Sequence, residues 1–142
     1  MERKNRTCDD RFLHWKAEYS VNIDAIDRQH QILVGFIRQL QEAMEEGRGR
    51  AFQSTLIDNL VAYTQGHFRF EEDLMREQGY ELLAEHIVQH GVLTTQVCEL
   101  QEKIQAGSTI SNAALMLFLR HWLTDHIMEH DQKYAKSLHM AS

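Results

Sequence analysis

Six side chains of metal-binding type interrupt otherwise apolar helical stripes at matching places in the chain. His30 falls between Ile26 and Leu33, and His67 and Glu71 follow Tyr63 on one face. His86 and His90 lie between Leu83 and Leu93, and His126 follows Trp122. Residues four apart on an α-helix differ by only about 40° in direction, so His67 with Glu71, and His86 with His90, point the same way. Burying this many ionisable groups is costly unless each is compensated. A bound metal compensates them together, because neutral imidazole and carboxylate are ligands that divalent metals prefer. One histidine on a buried stripe is ordinarily a hydrogen-bonded core residue, and a single HxxxH or HxxxE among nine histidines says little. Four segments that each place histidine on the buried face point to one shared metal site.

The spacing narrows the chemistry. The zinc-protease pattern HExxH fails because Ile87 follows His86. The Glu-x-x-His pairs of ferritin-like di-iron proteins are absent, since no histidine has a glutamate three residues before it. The remaining set is rich in imidazole and poor in carboxylate. It suits two iron ions with bridging carboxylates better than one zinc, and it stabilises high-valent iron less than a carboxylate-rich cage does.

The elements that must position these groups read as helices. The chain has no proline and seven glycines, several at expected helix ends: Gly47 and Gly49, Gly79, and Gly107. The first helix is predicted over 24–46, with Asp24 as N-cap and Ile26, Leu33, Ile37, Leu40 and Met44 on its stripe. The second spans 51–78 with Phe52, Leu56, Leu60, Tyr63, Phe70 and Leu74; the third spans 81–106 with Leu83, Leu93, Val97, Leu100 and Ile104. The fourth begins near an N-cap at Ser111, carries Leu115, Leu119, Trp122 and Leu123, and runs towards Tyr134. Long helices with short connections imply an all-α, up-down-up-down antiparallel four-helix bundle. Residues 1–21 are expected to form an N-terminal arm whose Phe12, Leu13 and Trp15 pack across one end, with 22–142 as the metal-binding domain. Met44, Met75 and Met116 read as core filler.

Bulk properties exclude several classes. A chain of 142 residues fits one domain, and 43% hydrophobic with 25% charged residues is ordinary for a globular protein. A formal charge of -6 disfavours nucleic acid as a partner, because phosphate binding needs a basic face. Cys8 and Cys98 lie far apart and read as free thiols in a reducing cytosol. The charged N-terminus is followed by no apolar stretch, and the longest apolar run, 113–119, is far too short to span a bilayer. A cytoplasmic protein without a membrane span is expected.

In order along the chain stand Asp27-Arg28-Gln29-His30, His67-Phe68-Arg69-Phe70-Glu71-Glu72, His86-Ile87-Val88-Gln89-His90, and His126-Ile127-Met128-Glu129-His130-Asp131. With these four motifs the chain resembles the hemerythrin family, in particular its bacterial branch, the bacteriohemerythrins, over about residues 12–138. Trp15 and the segment Tyr19-Ser20-Val21-Asn22-Ile23 are similar to that family's N-terminal loop. The resemblance implies a non-haem di-iron centre. One iron takes His86, His90 and His126, and the other takes His30 and His67. Glu71 and Asp131 bridge both, together with an oxo or hydroxo group, and the His30 and His67 side keeps an open position. It further implies reversible dioxygen binding for storage, transport or delivery to an oxygen-consuming enzyme or redox partner, not an enzyme activity. The alternatives are sensing of oxygen, nitric oxide or redox state through a partner protein, or a di-iron oxidase or peroxidase activity.

One spacing conflicts with the family pattern. His126 and Asp131 are five apart and differ by about 140° on a regular helix, whereas His130 would align with His126. Taking Asp131 as the ligand therefore requires a local widening of the fourth helix, of the kind that single-turn π-bulges supply at functional sites. His130 is then expected not to be a ligand. Phe70, Trp122, Ile127 and Met128 are candidates either for plain core packing or for an apolar lining of the open position. Asp27 and Gln29 lie beside His30, either to support a ligand or to serve the helix's N-terminal turn, and Tyr63 and Tyr134 are placed to donate a hydrogen bond near the ligand layers. Glu72 is expected to be solvated, and His14, His121 and His139 have no partner at useful spacing.

Overall fold

The structure, a computed structural model, describes residues 13–47, 50–107, 110 and 112–141. Cys8, Phe12, Gly49, Ser111 and the side chain of His139 lie outside the described residues. A single 3-10 turn, Ala17–Tyr19, precedes α1 (Asp24–Glu45), α2 (Arg50–Glu77), α3 (Leu83–Gln105) and α4 (Asn112–His126). The chain continues without a break through a π-helical segment, Ile127–Asp131, into α5 (Gln132–Ala141). No strand occurs among the described residues. Helix α1 packs on α2, α2 on α3, and α1 on α4. The result is an antiparallel four-helix bundle whose fourth rod is α4, the π segment and α5 together. No helix among the described residues is long and apolar enough to cross a membrane.

Periodic apolar residues make the bundle. On α1, Ile26, Leu33, Ile37, Leu40 and Met44 are buried, and on α4 Leu115, Leu119, Trp122 and Leu123 are buried. The buried apolar residues divide into two clusters. The larger holds Leu33, Leu40, Leu60, Val97, Leu119 and Ile127, and the smaller holds Val21, Ile26, Met75, Tyr134 and Ala135. Every rod passes from one cluster to the other through its ionisable residues. On α1 the order is Ile26, His30, Leu33; on the fourth rod it is Ile127, Asp131, Tyr134. The histidines and carboxylates thus occupy one layer sealed on both sides by hydrocarbon. Met75 and Met44 are buried, and Met116 is partly buried against the larger cluster.

Helix ends differ in detail from expectation. Ile23, not Asp24, occupies the N-cap of α1 and makes no side-chain capping bond; Asp24 is the first helical residue. The entry is instead tied by Asp27, whose carboxylate accepts from Ser20 Oγ at 2.6 Å and from the Val21 N–H at 2.8 Å. A carboxylate in the first turn also suits the positive end of the helix dipole. At the end of α2, the Tyr80 N–H donates to the Met75 carbonyl and the Gly79 N–H to that of Arg76, the two bonds of a Schellman motif. Gly79 sits there at φ 69°, a left-handed conformation that favours glycine. Ahead of α1, the Leu13 N–H donates to Gln41 Oε1 at 2.7 Å and the Leu13 side chain joins the larger cluster. Gln132 Nε2 of α5 donates to the carbonyls of Glu18 and Ser20, both at 3.0 Å.

Candidate metal centre

Four rods deliver seven ionisable side chains to one buried layer. Helix α1 gives His30, α2 gives His67 and Glu71, α3 gives His86 and His90, α4 gives His126, and the π segment gives Asp131. Their ligand-type atoms gather into two groups within 4.8 Å: His86, His90 and His126 with both carboxylates, and His30 and His67 with both carboxylates. Each carboxylate turns one oxygen to each group. Glu71 Oε1 lies 2.9 Å from His90 Nε2, 3.3 Å from His86 Nε2 and 3.9 Å from His126 Nε2. Glu71 Oε2 lies 3.4 Å from His67 Nε2 and 3.5 Å from His30 Nε2. Asp131 Oδ1 stands 3.0 Å from His86 Nε2 and 3.2 Å from His126 Nε2, while its Oδ2 stands 3.0 Å from His30 Nε2.

The donor atoms fit metal cations. His30 Nε2, His67 Nε2, Glu71 Oε2 and both Asp131 oxygens are buried without a hydrogen bond of acceptable geometry. Leaving one such group unsatisfied costs about 1–3 kcal/mol, more when it is charged, so a layer of them needs a compensating ligand. The outer ring nitrogens supply a second sign. Gln29 Oε1 lies 2.6 Å from His67 Nδ1, and Glu72 Oε2 lies 2.7 Å from His90 Nδ1. An acceptor at Nδ1 fixes the proton there and leaves the Nε2 lone pair facing the layer, the tautomer that ligates a metal.

Electrostatics without a cation agree. Burial alone would lower the histidine pKa values, but Asp131 and Glu71 overcome it and raise His30 to about 9 and His126 to about 10. His86 is raised by the same carboxylates against its burial. Burial pushes Glu71 and Asp131 up, and the surrounding histidines win and hold both well below the ordinary carboxylate range. Without a cation, His30, His86 and His126 thus face the two carboxylates at ion-pair distance. Divalent cations can take the place of the imidazole protons.

Other expected residues fall in varied places. His130 belongs to neither group; it is half-buried, its ring 5.5 Å from that of His126. Gln29 supports His67 of the neighbouring helix, and Asp27 ties the entry loop. Glu72 is a correction to the expected solvated residue, because it holds His90. Phe70 and Met128 are corrections too, being 39% and 42% exposed, whereas Trp122 and Ile127 are buried. Since Glu71 takes the inward position, the adjacent Phe70 is turned about 100° away from it. Tyr63 packs against Phe36. Tyr134 is buried with its hydroxyl unpartnered, and burial, then Glu71 and Tyr80, push it up to about 12. His121 is exposed beside Asp125, and His14 is half-buried. Sequence reasoning missed Phe68, which is buried and stacks on His90 with ring centroids 3.8 Å apart. Its signal lay in the His67–Glu72 motif, one residue after a ligand-type histidine.

Residues 21–138 match the Hemerythrin HHE cation binding domain. A bacteriohemerythrin of Stenotrophomonas maltophilia (strain R551-3) is 39% identical over 123 residues, which covers 87% of this chain and 79% of that protein. Myohemerythrin of Riftia pachyptila is 32% identical over 124 residues, covering 87% and 92% respectively. A crystal structure of wild-type hemerythrin matches with a TM-score of 0.79 at 31% identity, covering 87% of this chain and 95% of that one.

Proposed function

The chain belongs to the hemerythrin family, and from that premise we propose that it binds dioxygen reversibly at a di-iron centre, for storage, transport or delivery. His86, His90 and His126 would hold one iron, His30 and His67 the other, with Glu71 and Asp131 bridging them. The observation that carries this reading is the division of each carboxylate between the two histidine groups, one oxygen to each side. Two cations bridged by carboxylates need that arrangement, and a single four-coordinate zinc does not.

The unequal donor count supports a binding role. One group offers three imidazoles and the other two, so the His30 and His67 side has one donor fewer. An open position is what distinguishes a reactive metal site from a closed structural one. When bound, the ferrous pair supplies redox chemistry, the two electrons that dioxygen takes up on binding and returns on release. The chain's own residues do the rest. Gln29 and Glu72 fix the ring orientation of His67 and His90. Phe68, stacked on His90, and Ile127, buried beside His126, keep water from the layer. We further take residues 1–21 as an arm packing on the bundle and 22–142 as the metal-binding domain; the bonds from Leu13 to Gln41 and from Gln132 to Glu18 and Ser20 support that packing.

The test is anaerobic reconstitution with ferrous iron, a count of metal per chain, then admission of air with the visible spectrum recorded. Two irons per chain and a coloured form that bleaches when oxygen is withdrawn are expected. Immediate, irreversible oxidation, or steady oxygen consumption with an electron donor, would overturn the carrier reading.

A further inference from the structure

A groove of about 570 Å³ runs between α3 and α4, and its floor reaches His126. Val92, Leu93, Leu117, Phe118 and Trp122 give it apolar walls, and His121, Asp125, Glu129 and His130 add ionisable groups beside His126. Exposure falls along these residues. His121, Asp125 and Glu129 are exposed, His130 is half-buried, and His126 is buried. The ring of His130 stands 5.5 Å from that of His126 and 6.2 Å from that of His86, both in the three-histidine group.

His126 itself gives the second observation. Its Nε2 faces Asp131 and Glu71, and its Nδ1 is buried with no partner. His67 and His90 differ, since each has an acceptor on Nδ1. His30 Nδ1 is likewise buried without a partner, but of these two rings only that of His126 lines the groove.

We propose that this groove is the route by which a divalent cation enters the centre, with Asp125 and Glu129 drawing it in and His130 passing it to His126 and His86. The inference rests on the di-iron reading above. The groups suit passage better than retention. Among the described residues only the two inner groups gather within 4.8 Å, so the groove groups attract a cation without enclosing it. Carboxylates at the mouth of a cleft raise the local cation concentration and the on-rate, by about ten-fold or more, and salt weakens the effect. An imidazole half-way in offers a ligand that can replace part of the cation's water shell before the inner donors are reached.

The experiment mixes metal-free protein with cobalt(II) in a stopped-flow instrument and follows the visible absorption of the bound ion, with final metal per chain measured by elemental analysis. The variants are the Asp125→Asn, Glu129→Gln pair and His130→Ala. A control, the Glu42→Gln, Glu46→Gln pair at the C-terminal end of α1, removes the same charge elsewhere. Uptake about ten-fold slower in both groove variants is expected, with wild-type final metal content, an unaffected control, and high salt abolishing the effect of the charge pair. Equal uptake rates in all variants would overturn the route, as would a control that slows equally. Lower final metal content in His130→Ala would make His130 a ligand and also overturn it. If the unmodified protein takes up no metal, the di-iron reading falls with it; if it loads normally and the groove variants load as fast, only the route falls.

Discussion

Asp131 stands five residues after His126, yet its Oδ1 lies 3.2 Å from His126 Nε2. A regular helix would turn the two about 140° apart. The π-helical segment Ile127–Asp131 removes the conflict, because its wider turn brings a residue five positions on back to the same face. It also moves His130, which a regular helix would align with His126, to the half-buried outer side. Asp131→Ala should therefore release at least half of the bound metal, while His130→Ala should retain it. Elemental analysis of both purified variants checks this, and the opposite pattern would reassign the ligand.

Glu72 Oε2 is 2.7 Å from His90 Nδ1. Acceptors in this position orient a ligating ring and raise its basicity, and losing one typically weakens metal binding about 10–100-fold. Glu72→Ala should show a loss of that order in competition with a chelator. Glu72→Gln, which keeps an acceptor oxygen, should recover most of it. Equal losses in the two variants would mean that the charge, rather than the hydrogen bond, matters.

Metal affinity should rise with pH. In the cation-free protein His30 titrates near 9 and His126 near 10, so both are protonated at neutral pH. A raised pKa means that the protonated form is favoured by the fold. That stabilisation is complete below the unfolded value of about 6.5 and is lost as pH rises through 9 to 10. Metal binding needs neutral imidazole, so loading must expel these protons. Two expelled protons predict an apparent affinity that climbs by up to about two decades per pH unit below 9. Proton release on loading in weakly buffered solution measures the number directly, and no release at neutral pH would refute the assignment.

Much of this was legible in the sequence because the relevant signals are local. Histidines four apart on one helix, and apolar residues at helical spacing, fix which faces turn inward before any tertiary contact is known. The bundle and its inward-facing histidines follow from that. Glu72, Phe70 and Phe68 could not be read in the same way. Glu71 and Glu72 are adjacent, as are Phe68 and Arg69, and which of two neighbours turns inward depends on the helix packed beside them. Glu72 meets His90 across the interface of α2 and α3, and Gln29 meets His67 across that of α1 and α2. Such contacts depend on the relative rotation and depth of two helices, which the spacing along one of them does not encode. The π segment lay between these cases. Helical geometry alone favoured His130, and only the resemblance pointed to Asp131.

Phe68 makes the last case. Its ring lies parallel to that of His90 within 5°, centroids 3.8 Å apart, and meets His126 edge-on at 5.6 Å. It is buried, with 6% of its surface exposed, so it seals the three-histidine side of the layer against solvent. Phe68→Ala removes that ring and leaves a cavity against two ligand-type histidines. Truncations of this kind cost about 3–5 kcal/mol, the higher end applying where neighbours cannot collapse into the space. Collapse is restricted here, because His90 is held by Glu72 and the ring of His126 stands 5.0 Å from that of His90. Water entering the space would also compete for the inner nitrogens. The variant should therefore unfold at lower denaturant and surrender metal to a chelator several-fold faster, with Phe68→Leu intermediate in both. Denaturation curves and chelator-release rates on the same preparations check the two parts separately. Lost stability with unchanged release would leave Phe68 a packing residue with no part in guarding the centre.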